Sequence, residues 1–409
     1  MSEIAAKDRL ELARKALEKR AALGPDIDLQ HYALDGEKHQ YLEDPSQLPE
    51  EDKATVLGSG IILDDLGQRS ATFLQKDQSP IHFSSAQDGI EVKSLSEALK
   101  IHDWLDDYLW QAVEVDTDKF TAQLGVQETD GYLIRSLPGV KTTLPVQACL
   151  YLGHKNLAQR VHNVIIAEED SELHIITGCS SHPMSKGLHL GITEFYVKRG
   201  AQVTFTMIHN WSPDIEVRPR SVAIVEEDGV FMSNFVAMKP LHTLQMYPTT
   251  RCVGPNATVR FNTVLVAQAG SLMDVGSRVV LDGPGSRAEV VSRTISTGGD
   301  IIARGEIQGN APGVKGHLEC RGLLLADRGT IRAVPELTGR LAGIDLSHEA
   351  AVGKIAEDEV EYLMSRGLSR DEATAMIVRG FLKVDIEGLP PMLEAELKKA
   401  IEDSEEDLF

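Results

Sequence analysis

The sequence predicts a mainly β protein built as a solenoid, with α-helical regions at both ends. Three observations carry that prediction. Turn signals recur at residues 170, 200, 229, 256 and 285, so successive turns lie 30, 29, 27 and 29 residues apart. Each is followed by a short run of β-branched and apolar residues, with no helical pattern between the runs. Helical periodicity is confined to the segments before and after this repeat. A single coil cannot bury its apolar face alone, so a strand repeat of this length calls for coils piled on one another. A β-sandwich also yields short strands and turns, but it does not require so regular a spacing.

On this reading the chain has four parts. They are an N-terminal helical region (1–60), a mixed α/β segment (61–140), the β core (141–345) and a C-terminal helical domain (346–409). In the first, Leu10, Leu12, Ala13, Ala16, Leu17 and Ala21 form an apolar stripe over Ala5 to Leu23, which Gly24-Pro25 ends. Residues 26–60 are polar and contain Pro45 and Pro49, so they read as irregular. In the second, Leu95, Ala98, Leu99, Leu105, Leu109 and Ala112 have helical spacing over Ser94 to Ala112. In the core, the runs from Leu173, Val203, Val259 and Ala288 follow the turns Glu169-Asp170, Arg199-Gly200, Pro255-Asn256 and Pro284-Gly285. Alternation there puts Val203, Phe205 and Met207 inside and Thr204 and Thr206 outside. In the last part, a helix from Ile355 to Ser365 is capped by Gly367. Ser369 and Glu372 have capping-box spacing ahead of a helix from Ala373 to Leu382. Pro390-Pro391 then breaks the chain before a final helix, Met392 to Ile401.

The chain has 409 residues, a net charge of −21 and 42% hydrophobic residues, the profile of a folded, acidic protein. Such a surface repels phosphate backbones and anionic lipid heads, which argues against nucleic acid and membrane as partners. No apolar run approaches the ~20 residues of a membrane span. The polar N-terminus, Met1-Ser2-Glu3-Ile4, has no signal-peptide apolar stretch, so the chain reads as cytoplasmic. Its four cysteines, Cys149, Cys179, Cys252 and Cys320, are too few and too scattered for a disulfide framework and suit a reducing compartment.

Common catalytic motifs are missing. Pro138-Gly139-Val140-Lys141-Thr142 hints at a phosphate loop, but Val140 separates Gly139 from Lys141, so an ordinary turn is the better reading. Cys179 and His182 have a spacing a metal can use, but they stand alone, and structural zinc takes four ligands. A second group is Cys320, late in the β core, with His348-Glu349 at the junction to the C-terminal helices. Thiolate, imidazole and carboxylate all bind iron. The bland alternative is a buried small hydrophobe and a helix start with its acid near the N-terminus.

Several segments in order resemble a known family. They are Ile165 through Cys179, Leu188 through Glu194, Thr206-Met207-Ile208-His209-Asn210-Trp211, Asn234-Phe235-Val236 and Asp274-Val275-Gly276-Ser277. Cys320 with its leucine run, Ser347-His348-Glu349-Ala350 and Arg379-Gly380-Phe381-Leu382 complete the series. Together they resemble the SufB/SufD scaffolds of the SUF system of iron–sulfur cluster assembly.

The resemblance implies a right-handed parallel β-helix between helical regions, and a non-enzymatic scaffold. It implies a separate SufC-like ABC-type ATPase docking on the C-terminal helices through Arg379, Gly380, Phe381 and Leu382. No nucleotide is then bound by this chain. It further implies a second scaffold chain, in a homodimer or a SufB/SufD-like heterodimer, and a sulfur donor. A transient four-iron or two-iron cluster forms between the chains, with Cys320, His348 and Glu349 as its candidate ligands. Cys320 makes the chain SufB-like, since SufD-type chains carry histidine there. Two features depart from the pattern: Ser347 stands where an acid precedes the histidine, and the cysteine expected near Leu241-His242 is missing. Two alternatives remain: a structural solenoid that only organises ATPases, or a β-helix enzyme acting on carbohydrate. The latter wants clustered acids on one outer face, and the outward positions Thr204, Thr206, Arg260 and Asn262 supply none.

Overall fold

A computed structural model describes residues 3–63, 69–127 and 129–382. The expected break at Pro390-Pro391, the helix Met392 to Ile401 and the acidic tail lie outside them. The described chain is a parallel β-solenoid with helices at both ends. Strands alternate between a ten-stranded and an eleven-stranded sheet. Thus Leu157–Ala167 is followed by Glu172–Ser181 in the other sheet, then by Lys186–Val197 back in the first. Coils stack in step, so one inward column runs Leu173, Val203, Phe231, Val259 and Ala288. All five belong to one continuous core between the sheets.

The turns explain the sequence repeat. Gly139, Asp170, Gly200, Asp228, Asn256, Gly285, Gly313 and Gly343 all have positive φ, between 54° and 80°. Gly, Asn and Asp tolerate that left-handed conformation best. Their N–H groups link the coils: Asp170 donates to the Arg199 carbonyl, Gly200 to Glu227, Asp228 to Pro255 and Asn256 to Pro284, at 2.9–3.0 Å. Pro138-Gly139 is the first step of this staircase, since Gly139 N–H donates to the Glu169 carbonyl.

The two ends differ. At the start, Ala71–Lys76 pairs antiparallel with Ser79–Ser85, and Tyr132–Ser136 pairs antiparallel with Ile90–Ser94. At the finish, Thr330–Gly339 and Asp345–Lys354 each have one neighbour only among the described strands.

Helix α1 spans Glu3–Ala16, shorter than the stripe to Leu23 predicts. Tertiary bonds take over beyond it: the Lys19 carbonyl accepts from Lys119 N–H at 2.7 Å, and its ammonium reaches the Asp116 carbonyl. Helix α2 (Glu50–Leu57) lies in a stretch that reads as irregular. The apolar stripe of 94–112 splits into α3 (Leu95–Ile101), with Ser94 as its N-cap, and a 3-10 turn, Asp103–Asp107. Helix α4 (Lys119–Gly125) was not anticipated; Asp118 and Thr121 close a capping box at its start. Helices α5 (Glu357–Ser365) and α6 (Arg370–Leu382) follow the solenoid, with Gly367 at φ +100° and the Ser369–Glu372 box between them.

His348 and Glu349 correct a sequence expectation. They sit in the middle of the strand Asp345–Lys354, not at a helix start. Stacking on Lys315–Leu324 imposes the extended backbone, overriding the helical propensity of Glu349-Ala350-Ala351. No helix among the described residues is long and apolar enough to cross a membrane.

The staircase makes a stability prediction. A Cβ at Gly200 would lie 2.2 Å from Asp170 Oδ1, at φ +70°. Gly200→Val should therefore cost about 1–3 kcal/mol in urea unfolding, whereas Asp170→Gly, at a position that glycine suits, should cost far less.

Candidate functional site

The candidate ligands sit on the last described coils of the solenoid, and side-chain alternation sorts them. On Lys315–Leu324, Gly316, Leu318 and Cys320 face inward while His317, Glu319 and Arg321 face outward. Cys320 is 2% exposed and belongs to the continuous core. Ser292 lies beside it on the preceding coil and Ala350 on the last one. Burial raises the Cys320 pKa, and the Ser292 hydroxyl offsets part of that. The resting group is thus a neutral thiol, and a metal ion must displace its proton to bind.

His348 has the inward parity of Leu346, which packs on the core, and lies diagonally from Cys320 on the neighbouring strand. Its ring is exposed because no coil covers the last strand among the described residues. Glu349 faces the other way, in register with Glu319. Arg321 bridges these two carboxylates, at 2.6 Å to Glu319 and 3.2 Å to Glu349, and Arg293 also reaches Glu319 at 2.9 Å. Within one chain, Cys320 and His348 share a face of the sheet and Glu349 does not. Arg260 pairs with Glu289 on the same outer face, in register with His317 and Ser347. These are the acids that Thr204 and Asn262 did not foretell, but each is paired with arginine.

Other cysteines share the interior. Cys179 and Cys252 face the same core as Cys320, while Cys149 packs in the separate cluster beneath α2. Burial pushes Cys149 and Cys252 up to about 12 and raises Cys179 well above its ordinary value. His182 lies outside and contacts Glu51 at 2.8 Å, so it does not converge with Cys179.

The sequence reading did not single out two interior imidazoles. His189 Nδ1–H donates to Gln159 Oε1 at 2.8 Å, since the Gln159 amide nitrogen donates to two backbone carbonyls, and Trp211 packs between His189 and His209. The hydrophobic residues beside them, Leu188, Leu190 and Ile192, point outward instead, where Ile27, Val113, Phe120 and Leu124 cover them. Glu194 pins that cover: it is fully buried and accepts from Trp110, Ala112 and Val113 N–H. The alternation of His189 with leucines was the available signal, but it does not tell which face is interior.

At the C-terminus, Val378 and Phe381 of α6 pack on an outer apolar patch made by Val236, Met238, Val264, Val266, Ile295 and Leu323. Gly380 is exposed, and a Cβ there would meet nothing within 4 Å. Arg379 is half-buried on the same turn; Leu382 ends the helix.

The interior histidines make folding pH-dependent. Burial lowers His189 to about 4 and His209 well below its ordinary value. A depressed histidine pKa means that the unfolded chain binds the proton first. Stability is then complete above the unfolded value near 6.5 and falls as pH drops toward 4. From about pH 7.5 to about pH 5.5, each such histidine should remove about 1.4 kcal/mol. Urea midpoints at the two pH values should show a smaller loss for His189→Gln than for the unaltered chain.

Comparison with known proteins agrees with the geometry. The family profile described as "SUF system FeS cluster assembly, SufBD core domain" matches residues 150–381. An iron–sulfur cluster assembly SufBD family protein of Archaeoglobus fulgidus is 53% identical over 88% of this chain and 96% of its own length. One from Methanothermobacter thermautotrophicus is 47% identical over 97% of this chain and 98% of its own. The iron–sulfur cluster assembly protein SufB of Bacillus subtilis is 28% identical over 87% and 78%. A parallel solenoid with an interior thiol near its open end, matched over most of its length to these proteins, belongs to the SufBD family of iron–sulfur cluster assembly proteins.

Proposed function

We propose that this chain is a SufB-like scaffold on which a labile iron–sulfur cluster is built between two scaffold chains, in the cytoplasm. The observation that carries this reading is the last coil, unpaired among the described residues, lying directly over Cys320. Two ten-residue strands, Thr330–Gly339 and Asp345–Lys354, have edges there that no described strand pairs. Leu341 is 49% and Val352 42% exposed on the same coil. Open edges with apolar side chains favour pairing with another chain. The end of a second copy, or of a SufD-like chain, is the occupant that fits best. Docked end to end, each chain contributes Cys320 and His348 from its interior face, and Glu349 from a terminal strand of one chain reaches the other's metal. Iron binding then expels the Cys320 proton. A set with few thiolates, completed by imidazole and carboxylate, holds iron less softly than four thiolates, which suits a two-iron or four-iron cluster that must be passed on.

Sulfur arrives from a separate donor, and Cys179 and Cys252, facing the same interior, are candidates to receive it. ATP hydrolysis belongs to a SufC-like ATPase docked on α6 around Arg379, Gly380 and Leu382. Gly380 supports that docking: in a helix it costs about 1 kcal/mol relative to alanine, yet nothing in the described chain needs its small size. Phe381, anchored on the outer patch, couples the docked subunit to the sheet that carries Cys320.

Anaerobic reconstitution with ferrous iron and sulfide tests the cluster site. The unaltered chain should acquire iron and acid-labile sulfide with visible charge-transfer absorption. Cys320→Ser should lose most of it while keeping its fold, and Val352→Asp should lose dimer and cluster together. A Cys320→Ser protein that loads and delivers clusters normally would leave only the structural-solenoid reading. For the docking surface, Gly380→Leu should raise the unfolding midpoint slightly, as a better helix former, and still reduce capture of the ATPase at least tenfold, about 1.4 kcal/mol of binding energy.

A further inference from the structure

At the closed end of the solenoid, three segments far apart in sequence bring together two imidazoles and a carboxylate. His39 comes from the irregular N-terminal stretch, Asp77 from the turn between Ala71–Lys76 and Ser79–Ser85, and His154 from the turn after Val146–Leu152. We propose that His39, Asp77 and His154 form a binding site for one divalent transition-metal ion of the zinc or ferrous class. The site clasps the N-terminal segment to the first coil and is separate from the cluster carried near Cys320.

Asp77 is built as a ligand. Its side chain is 0% exposed, and its backbone adopts φ +53°, a left-handed conformation that an aspartate tolerates at a cost. Its N–H donates to the Tyr151 carbonyl, and its own carbonyl accepts from Gln75 and Gln159. One carboxylate oxygen, Oδ1, accepts from the N–H groups of Gly153 and His154 at 2.8 and 3.0 Å. That leaves Oδ2 aimed at the two imidazoles, 2.7 Å from His39 Nε2 and 3.3 Å from His154 Nδ1. The three ligand atoms lie within 4.8 Å of one another. A tetrahedral ion with bonds of about 2.0–2.1 Å needs its ligand atoms roughly 3.3 Å apart, so the two imidazoles, at most 4.8 Å apart, need to close by no more than about 1.5 Å to hold an ion.

The surroundings agree. Ser79 Oγ accepts from His39 N–H and sets the position of that ring's backbone. Gly153 leaves space beside the ligand oxygen, since a Cβ there would lie 3.6 Å from Asp77 Oδ2. The nearby cation Lys76 is engaged elsewhere, by Asp52 at 2.7 Å. His154 is 42% exposed and His39 21%, so water has access to complete the coordination. Two imidazoles with a single carboxylate select borderline ions such as Zn²⁺ and Fe²⁺ over Mg²⁺ or Ca²⁺, which want several oxygens. Binding ties together residues 38 and 77 positions apart in the chain, and an ion that binds only the folded form stabilises it.

The full-length, untagged chain carrying Cys320→Ser removes interference from the cluster thiol. Stripped with chelator and titrated with Zn²⁺, Fe²⁺ (anaerobically) or Co²⁺, it should bind one equivalent. Bound Co²⁺ should show visible ligand-field bands, and Zn²⁺ should raise the thermal midpoint. His154→Ala and His39→Ala, each added to that background, should weaken binding at least about tenfold and abolish the thermal shift. Unchanged affinity in both variants, equal shifts from Mg²⁺, or no equivalent bound by the chain with all three residues intact would overturn the proposal. The titration of the intact triad decides the matter even if a variant fails to fold. A failure here leaves the role of Cys320 untouched, because the reconstitution experiment reads the other end of the solenoid.

Discussion

Everything in this molecule depends on the parallel backbone ladder between successive coils. Each coil satisfies its peptide groups on the coil before and the coil after, so the ladder must begin and end somewhere. The left-handed turn residues keep the coils in step, and the step keeps each interior column in register. The first coil is finished by antiparallel strands that supply the missing partners. The last coil has no such finish among the described residues. A free edge of ten-residue strands is a liability for a protein that acts alone and a docking device for one that assembles. The end left without such a finish among the described residues, with a thiol one coil beneath it, is the physical basis of the functional reading.

The second constraint is the alternation of side chains. A strand places neighbouring residues on opposite faces, so Cys320 and Glu349 cannot both face the interior even though their strands are adjacent. Alternation also decides what the interior contains. Where the N-terminal segments cover the outer face of the eleven-stranded sheet, Leu188, Leu190 and Ile192 are buried outside. The inner face is then released for Gln159 and His189, which meet Trp211 and, from the ten-stranded sheet, His209 across the interior. A polar strip thereby enters a core that is otherwise mainly apolar, at the cost of acid sensitivity.

The terminal regions serve the solenoid in different ways. The N-terminal segments are locked on by polar anchors, above all Glu194 with three backbone donors and Asp77 with two. The C-terminal helices are attached by a compact apolar contact, Val378 and Phe381 on the outer patch. An apolar contact on a sheet face transmits a push or a tilt without breaking specific bonds, which suits the element proposed to receive an ATPase.

Much of this was legible in the sequence. The repeat of turns, with Asp170, Gly200, Asn256 and Gly285 each at positive φ, followed from local chemistry, because only a few residue types accept that backbone. The capping box at Ser369 and the inward set of Val203 and Phe205 followed from spacing alone. Helix ends did not: α1 stops at Ala16 because Lys19 bonds to Lys119, a partner 100 residues away. Nor did the strand that holds His348 and Glu349, whose extended form is imposed by the coil beneath it. The directions of Cys320 and Glu349, the interior place of His189 and the meeting of His39, Asp77 and His154 were likewise decided by tertiary structure. Local sequence sets which backbone conformations are cheap. Which face is inside, and which distant residues meet, depends on what packs against each face, and that is a property of the whole chain.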